Sequence, residues 1–312
     1  MQKSNFDFVI VGAGAAGLTA AQYGARSGLK TLVIDASTAG GQALNINQLE
    51  NYPGLYPYVS GTDFIENMKS QAQEFGAKFI NAAVKAIDKI RDKFVLNTSK
   101  GKYTAYSVLV ATGAEHRTLG CPGEKELSGR GVSYCATCDG PFFKGKKIFV
   151  VGGGDSACEE AFYLSSLTDE VILVHRRDKL RAQKAIQEKI LKSQKIKVLY
   201  NSEITEIKGT SKVESVVIKN NQTDSIAETD ADAVFIFVGM IPRTSLVQML
   251  KKDDNGYLIT NYRMETVVPG MYAAGDVRAK SFRQVVTACA DGALAAHQAH
   301  EYVQTFKLLN EE

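Results

Sequence analysis

Apolar and polar positions along the chain repeat one rhythm twice. Phe6 to Val11 is a β-rich apolar run, Leu18 to Arg26 is a stretch of helix formers ending near Gly28, and Thr31 to Ile34 is a second apolar run that finishes at Asp35. Continuous apolar runs of this length are what strands buried on both faces show, and a helix between two of them predicts a parallel crossover. The order returns in Lys147 to Val151, a helix over Cys158 to Leu167, and a strand over Glu170 to Val174. Between the repeats the pattern predicts a helix from about Thr62 to Phe75, a strand near Phe79 and Ile80, and a strand pair over roughly Ala83 to Leu96 and Tyr103 to Val110. After them come the apolar strand Ala233 to Val238, a short strand and turn over Gly270 to Asp276, and a helix from about Gln284 to Thr305 interrupted by Gly292. Residues 40 to 54 carry glycines and amides with little apolar periodicity, which predicts a loop around a polar ligand.

The turns that join strand to helix add chemistry to this rhythm. In the first repeat Gly12, Gly14 and Gly17 stand at Gly-x-Gly-x-x-Gly spacing, and Asp35 lies 23 residues past Gly12. The first glycine permits a tight turn, the second lets the backbone approach a pyrophosphate, and the helix N-terminus stabilises that charge. Asp35 is placed to accept from an adenosine ribose hydroxyl, or else serves as a strand-end cap. In the second repeat Gly152, Gly154 and Ala157 take the same places, but the position of the acid is held by His175, followed by Arg176, Arg177 and Arg181. A carboxylate there favours a free 2'-hydroxyl, whereas a cluster of guanidinium groups suits a 2'-phosphate; the plain alternative is a set of solvated arginines. Two such units imply two dinucleotide cofactors. The expected class is α/β, with two Rossmann-like domains, the second inserted into the first: residues 1–116 and 244–312 for one, 117–243 for the other.

Composition narrows the classes. The 312 residues are 45% hydrophobic and carry 37 basic against 34 acidic residues, a net charge of +3 without a long like-charge run. Neither a nucleic-acid surface nor a polybasic membrane anchor is indicated. Residues 1 to 5 are polar, no leader pattern follows them and no apolar stretch is long enough to span a bilayer, so a cytoplasmic protein is expected. In that setting the pair Cys135 and Cys138 reads as a dithiol that opens and closes rather than a staple. Zinc would need two more ligands, and Cys121, Cys158, Cys289, His116, His175, His297 and His300 make no second cluster. No metal is expected, and the three scattered cysteines read as small buried hydrophobes. Asp139 follows the pair and either exchanges a proton with a thiolate or forms a turn ahead of Gly140.

Taken together, the glycine turns, Gly41-Gln42, Asn51, Thr112-Gly113, the Cys135-Ala136-Thr137-Cys138-Asp139-Gly140 stretch, the arginine group, Gly275-Asp276 and Arg283-Gln284 resemble, in this order and nearly end to end, the low-molecular-weight thioredoxin reductases of bacteria. The resemblance implies a homodimeric FAD enzyme that passes electrons from NADPH through the flavin to the cysteine pair and on to thioredoxin. It places FAD against Gly12, Gly14, Ala15, Ala16, Gly17, Asp35, Gly41, Gln42, Asn51, Val84, Thr112, Gly113, Gly275, Asp276, Arg283, Gln284 and Val285. It places NADPH against Gly152, Gly154, Asp155, Ser156, Ala157, His175, Arg176, Arg177, Arg181 and Gly239. By the same resemblance Cys138 faces the flavin, Cys135 attacks thioredoxin, and Asp139 is the acid and base. The chain has no tryptophan, so docking must use other anchors, for which Arg130, Phe142 and Phe143 flank the redox motif.

The order of motifs carries one more expectation. The cysteine pair and the second glycine turn ride on one insert, yet both must reach one flavin. The insert is therefore expected to rotate about crossings near Gly113 to Arg117 and Gly239 to Thr244. Competing readings are a flavoprotein dithiol oxidase, a reductase fed by ferredoxin, and an FAD-binding redox sensor; the arginine group disfavours the first two.

Overall fold

A computed structural model describes residues 4–46, 49 and 51–310. The chain divides into two compact units, Met1–Glu115 with Ile241–Glu312, and His116–Met240.

The first unit begins with β1 (Ser4–Val11), α1 (Ala15–Arg26), β2 (Thr31–Asp35), α2 (Gly61–Glu74), β3 (Lys78–Asn81), β4 (Val84–Ile90), β5 (Lys93–Thr98), β6 (Gly101–Val110) and β7 (Ala114–His116). β1 pairs in parallel with β2 and β6, so that Ile10 stands opposite Val33 and Leu109. Period-2 alternation then sends Phe8 and Ile10 to one apolar cluster and Val9 and Val11 to another, which is why the run is apolar throughout. The stretch expected as one strand over Ala83 to Leu96 is instead a hairpin of β4 and β5, broken at Arg91, whose φ of 53° no strand accommodates.

The second unit holds β8 (Val132–Ser133), α3 (Ala136–Asp139), β9 (Ile148–Gly152), α4 (Asp155–Leu164), β10 (Val171–Val174), α5 (Lys184–Lys192), β11 (Ile196–Leu199), β12 (Ser202–Lys208), β13 (Ser215–Asn220), β14 (Ile226–Asp230) and β15 (Ala233–Phe237). Its parallel sheet has the order β11-β10-β9-β15-β8. Ile148, Val150 and Phe235 pack under α4, while Phe149, Val151 and Val234 pack with Ile204 and Val216 of the antiparallel β12-β13-β14 sheet. The α4 helix opens at Asp155, three residues before the expected start, because the glycine turn ends in extended backbone at Gly154.

The chain returns to the first unit through β16 (Met240–Pro242), β17 (Met271–Ala273) and α6 (Val285–Asn310). β17 pairs in parallel with the last residues of β6, beyond those that β5 covers. The break expected at Gly292 does not occur: α6 runs through it, and a Cβ there would collide with the Ala16 carbonyl of α1. Gly292 is thus a packing residue. The two crossings, β7 and β16, pair with each other as a two-stranded sheet, extended by hydrogen bonds from Arg117 N to Gly239 O at 2.9 Å and from Arg243 N to Gly113 O at 3.0 Å. No helix among the described residues is long and apolar enough to cross a membrane.

Candidate active site

Cys135 and Cys138 lie at the start of α3, in the second unit. Extended backbone at Cys135 turns directly into the helical residues Ala136–Asp139, which brings the two sulfurs into a disulfide with Cα atoms 5.3 Å apart. Two neighbours hold the turn in place. Ala136 is fully buried beneath α4, and a Cβ on Gly140 would stand 2.8 Å from Leu164 Cδ2, so a larger residue there would have to displace the Leu164 side chain.

Ser133 organises the polar side of the site. It ends β8, opposite Phe235, and is buried. Its hydroxyl donates to Asp139 Oδ2 at 2.6 Å and accepts from Cys135 N–H at 3.1 Å, so one side chain ties the backbone of one cysteine to the carboxyl beside the other. Burial pushes the Asp139 pKa up, and the Ser133 hydrogen bond opposes that shift. A carboxyl held neutral more readily than usual, one residue from Cys138, has the properties of a proton donor to a departing thiolate. The Thr137 hydroxyl lies 3.5 Å from Cys135 Sγ. The chain just before the motif is pinned by buried Glu124, whose carboxylate accepts from Leu119 N, Gly120 N and Tyr134 Oη at 2.7–3.0 Å. Sequence reading passed over Ser133; its signal was a hydroxyl two residues before the first cysteine in a buried strand.

The first glycine turn is built as expected and more tightly than its motif required. A Cβ at Gly17 would collide with the Gly12 carbonyl, and one at Gly12, whose φ is 108°, would collide with the Ala111 carbonyl. Gly14 instead faces open space, which leaves its backbone approachable. Asp35 accepts from Ala13 N at 2.7 Å and from Ser37 N and Oγ at 2.8 and 2.9 Å, so the carboxylate caps the strand end and organises the turn. Gly40 N donates to Ala13 O at 2.8 Å, laying Gly41 beside Gly14. Gln42 donates to Ala114 O, Thr112 Oγ1 donates to Arg243 O at 2.6 Å, and Asn51 Nδ2 donates to Gln284 Oε1 at 3.0 Å. Asp276 sits in a short 3-10 turn, Gly275–Val277, and Gly275 rests on Ala16. Ala15 and Ala16 open α1, Val285 opens α6, and Val84 opens β4 against the second cluster of the unit.

Two buried polar atoms of this unit have no hydrogen-bond partner among the described residues, Asp276 Oδ1 and Arg283 Nε. The Arg283 guanidinium meanwhile lies 4.1 Å over the Tyr257 ring. Unpaired acceptors and donors in a protein interior are costly, and a polar ligand that brings a hydroxyl and an acceptor resolves both. This donor and acceptor set, with the open Gly14 backbone, fits a dinucleotide such as FAD.

In the second unit Gly152 has no room for a Cβ, because the Ala157 methyl occupies that place, and Gly154 faces open space. Asp155 and Ser156 begin α4, with Asp155 Oδ1 accepting from Gln183 N at 2.6 Å. Arg176, Arg177 and Arg181 are exposed, and none forms an ion pair with a described residue. Three unneutralised guanidinium groups on one loop fit a phosphate. His175 differs from them: it is buried, its ring fills the space a Gly153 side chain would need, and its Nε2 lies 2.9 Å from the Lys179 carbonyl. Burial lowers its pKa against the opposing hydrogen bonds to the Lys179 and Gly152 backbone, and Arg181 and Arg177 add to the lowering, so a neutral ring shapes the arginine loop from beneath. Gly239, at φ 115°, lies beside Arg117.

Of the aromatic pair flanking the motif, Phe142 is 46% exposed, whereas Phe143 packs edge-on against Phe235 in the core. Arg130 is exposed and donates to the Glu126 carbonyl. Cys158 and Cys289 are buried as expected; Cys121 is only half-buried, with its thiol pushed up to about 11 by burial. No group of three or more metal-ligating side chains occurs among the described residues.

Comparison with known proteins agrees with this geometry. Residues 6–292 match the family model of the pyridine nucleotide-disulphide oxidoreductases. The chain is 54% identical to a thioredoxin reductase of Treponema pallidum over 98% of its own length and 99% of that protein. It is 48% identical to one of Peptoclostridium acidaminophilum over 96% and 97%. The crystal structure of thioredoxin reductase from Streptococcus pyogenes, 42% identical, superimposes with a TM-score of 0.92 over 98% of this chain and all of that one. A disulfide beside a half-buried carboxyl, two glycine turns and these likenesses lead to one conclusion: the chain belongs to the pyridine nucleotide-disulphide oxidoreductases, in their thioredoxin reductase branch.

Proposed function

We propose that this chain reduces the disulfide of thioredoxin with electrons from NADPH, carried through FAD and the Cys135–Cys138 pair. The observation that carries the reading is the closed Cys135–Cys138 disulfide with the half-buried Asp139 carboxyl beside it, in the same unit as the unpaired arginine loop. The first unit holds FAD at Gly12, Gly14, Gly17, Asp276 and Arg283, and the second holds NADPH at Gly154, Arg176, Arg177 and Arg181. FAD supplies a two-electron carrier between a nicotinamide hydride and a disulfide.

The protein's own residues manage sulfur and protons. Opening Cys135–Cys138 takes up two electrons and two protons. Cys135 thiolate then attacks one sulfur of the thioredoxin disulfide; that bond breaks, and its leaving thiolate takes a proton. Cys138 thiolate next attacks Cys135 Sγ, which restores the internal disulfide and releases the second thiol of thioredoxin. Asp139 holds the proton that the departing thiolates need, and Ser133 fixes the carboxyl in place. Arg130 and Phe142 are the exposed docking anchors; Phe143, turned into the core, supports the motif from below. The disulfide and the arginine loop share one unit and take turns at one flavin, so the units rotate about the paired strands β7 and β16. The protein works as a homodimer in the cytoplasm.

Purified holoprotein should oxidise NADPH continuously when thioredoxin and a disulfide dye are supplied. A redox sensor would stop after one equivalent of NADPH, and a dithiol oxidase would consume oxygen without thioredoxin; either result replaces this reading.

A further inference from the structure

We propose that Lys280 is a positioning residue of the FAD site, holding the Asp276 carboxylate in place with one oxygen left free for a hydroxyl of the cofactor. The proposal rests on the placement of FAD in the first unit.

Lys280 is almost completely enclosed, with a side chain 9% exposed, and its ammonium reaches three oxygens at 3.3 Å: Asp276 Oδ1, Asp291 Oδ2 and Thr287 Oγ1. Two of its three donors are thus taken, by Asp291 and Thr287, while Asp276 stands beside the ammonium at ion-pair distance. Asp291 is shared. Its Oδ2 also accepts from Gly275 N at 3.1 Å, and its Oδ1 from Arg278 Nη1 at 3.0 Å. Two cations and two carboxylates cancel in charge, which is the condition under which such groups tolerate burial. The network reaches both sides of the site, because Asp291 lies in α6 and the Gly275 turn rests on Ala16 of α1.

The contact to Asp276 differs from the others. Lys280 is close enough to Oδ1 for an ion pair, yet the oxygen has no hydrogen-bond partner. Lys280 therefore stabilises the charge of Asp276 without using its acceptor direction. A carboxylate so held is ready for a ribityl or ribose hydroxyl, and it would swing without the ammonium behind it. A cation acting in this way works through Asp276 alone, and that separates it from a lysine that merely anchors α6.

FAD release on dilution of the holoprotein, read as recovered flavin fluorescence, tests this in a double-mutant cycle. Lys280→Met should weaken FAD binding by about tenfold, the scale of one charge-assisted contact, and Asp276→Asn by a similar factor. The double variant should bind within about twofold of Asp276→Asn alone, and Lys280→Arg should keep wild-type affinity. If Lys280→Met fails to fold, Lys280→Gln takes its place with the same expected loss. Unchanged FAD affinity in the Lys280 variant overturns the proposal, as does a double variant weakened by the product of the two factors. Should Asp276→Asn keep full affinity, the placement of FAD on Asp276 fails first, and the role of Lys280 with it.

Discussion

The two glycine turns close in opposite ways. In the first unit the backbone of α1 comes down on the turn itself, so that Gly17 lies against the Gly12 carbonyl with no room for a methyl. In the second, Ala157 keeps its methyl and spends it filling the space above Gly152. The same contrast runs through the charges. Asp35 and Asp291 of the first unit each accept three hydrogen bonds from fixed donors, whereas Asp139 of the second accepts one among the described residues, from Ser133. The contrast supports the proposal that one unit holds its cofactor tightly while the other releases one and moves protons. Tied carboxylates keep geometry; a half-buried, singly held carboxyl can change its protonation state.

The largest effect should come from exchanging the two closures. Gly17→Ala forces the new methyl into a backbone carbonyl and should yield protein without bound FAD, whereas Ala157→Gly should cost only about 1 kcal/mol of stability and leave NADPH use within a few-fold. Flavin content after purification and thermal melting decide this. If Gly17→Ala retains FAD, the two turns are less different than their contacts indicate.

Asp139→Asn should slow the thioredoxin half reaction by about 100-fold, the usual scale for a lost general acid, while reduction of FAD by NADPH continues. Stopped-flow measurement of the two half reactions checks it. Burial raises the folded pKa of Asp139, so its contribution to stability is full below the unfolded value and is lost as pH rises through the folded one. Asp139→Asn should therefore flatten that part of the stability profile.

Arg176→Ala should weaken NADPH by roughly 10- to 100-fold and leave NADH almost unchanged, because the lost guanidinium addresses only the extra phosphate. An unchanged preference would return the arginine loop to solvated surface. The smallest effect is expected from Ser133→Ala. Without the hydroxyl that lowers it, the Asp139 pKa should rise further and the corresponding limb of the rate profile should move to higher pH, with turnover down by less than about tenfold. A profile that stays in place would limit Ser133 to a backbone contact.

Much of this was legible in the chain. The doubled strand-turn-helix rhythm, the glycine spacing and the Asp35 against arginine exchange are local signals, each set by backbone geometry within a few residues, and the described elements follow them closely. The failures have physical causes too. Arg91 turns a run of strand-forming residues into a hairpin, and Gly292 reads as a helix breaker until α1 is seen against it. The three strands β12 to β14 went unread because their alternation is half-polar and their partners are one another.

By itself the sequence determined which residues are proposed to bear the chemistry: two cysteines, their acid, the arginines and the glycines, all recognisable by their spacing along the chain. Only tertiary structure decided how those groups are held. His175 is neutral and buried although it stands among arginines, Phe143 turns inward while Phe142 does not, and Ser133 reaches Asp139 across a strand end. Lys280 is recruited to Asp276 only because Asp291, eleven residues farther on in α6, packs beneath the same turn. The reason is common to all four: burial and hydrogen-bond partnership depend on residues distant in the chain, and free energies of one side chain change more with those partners than with its own identity.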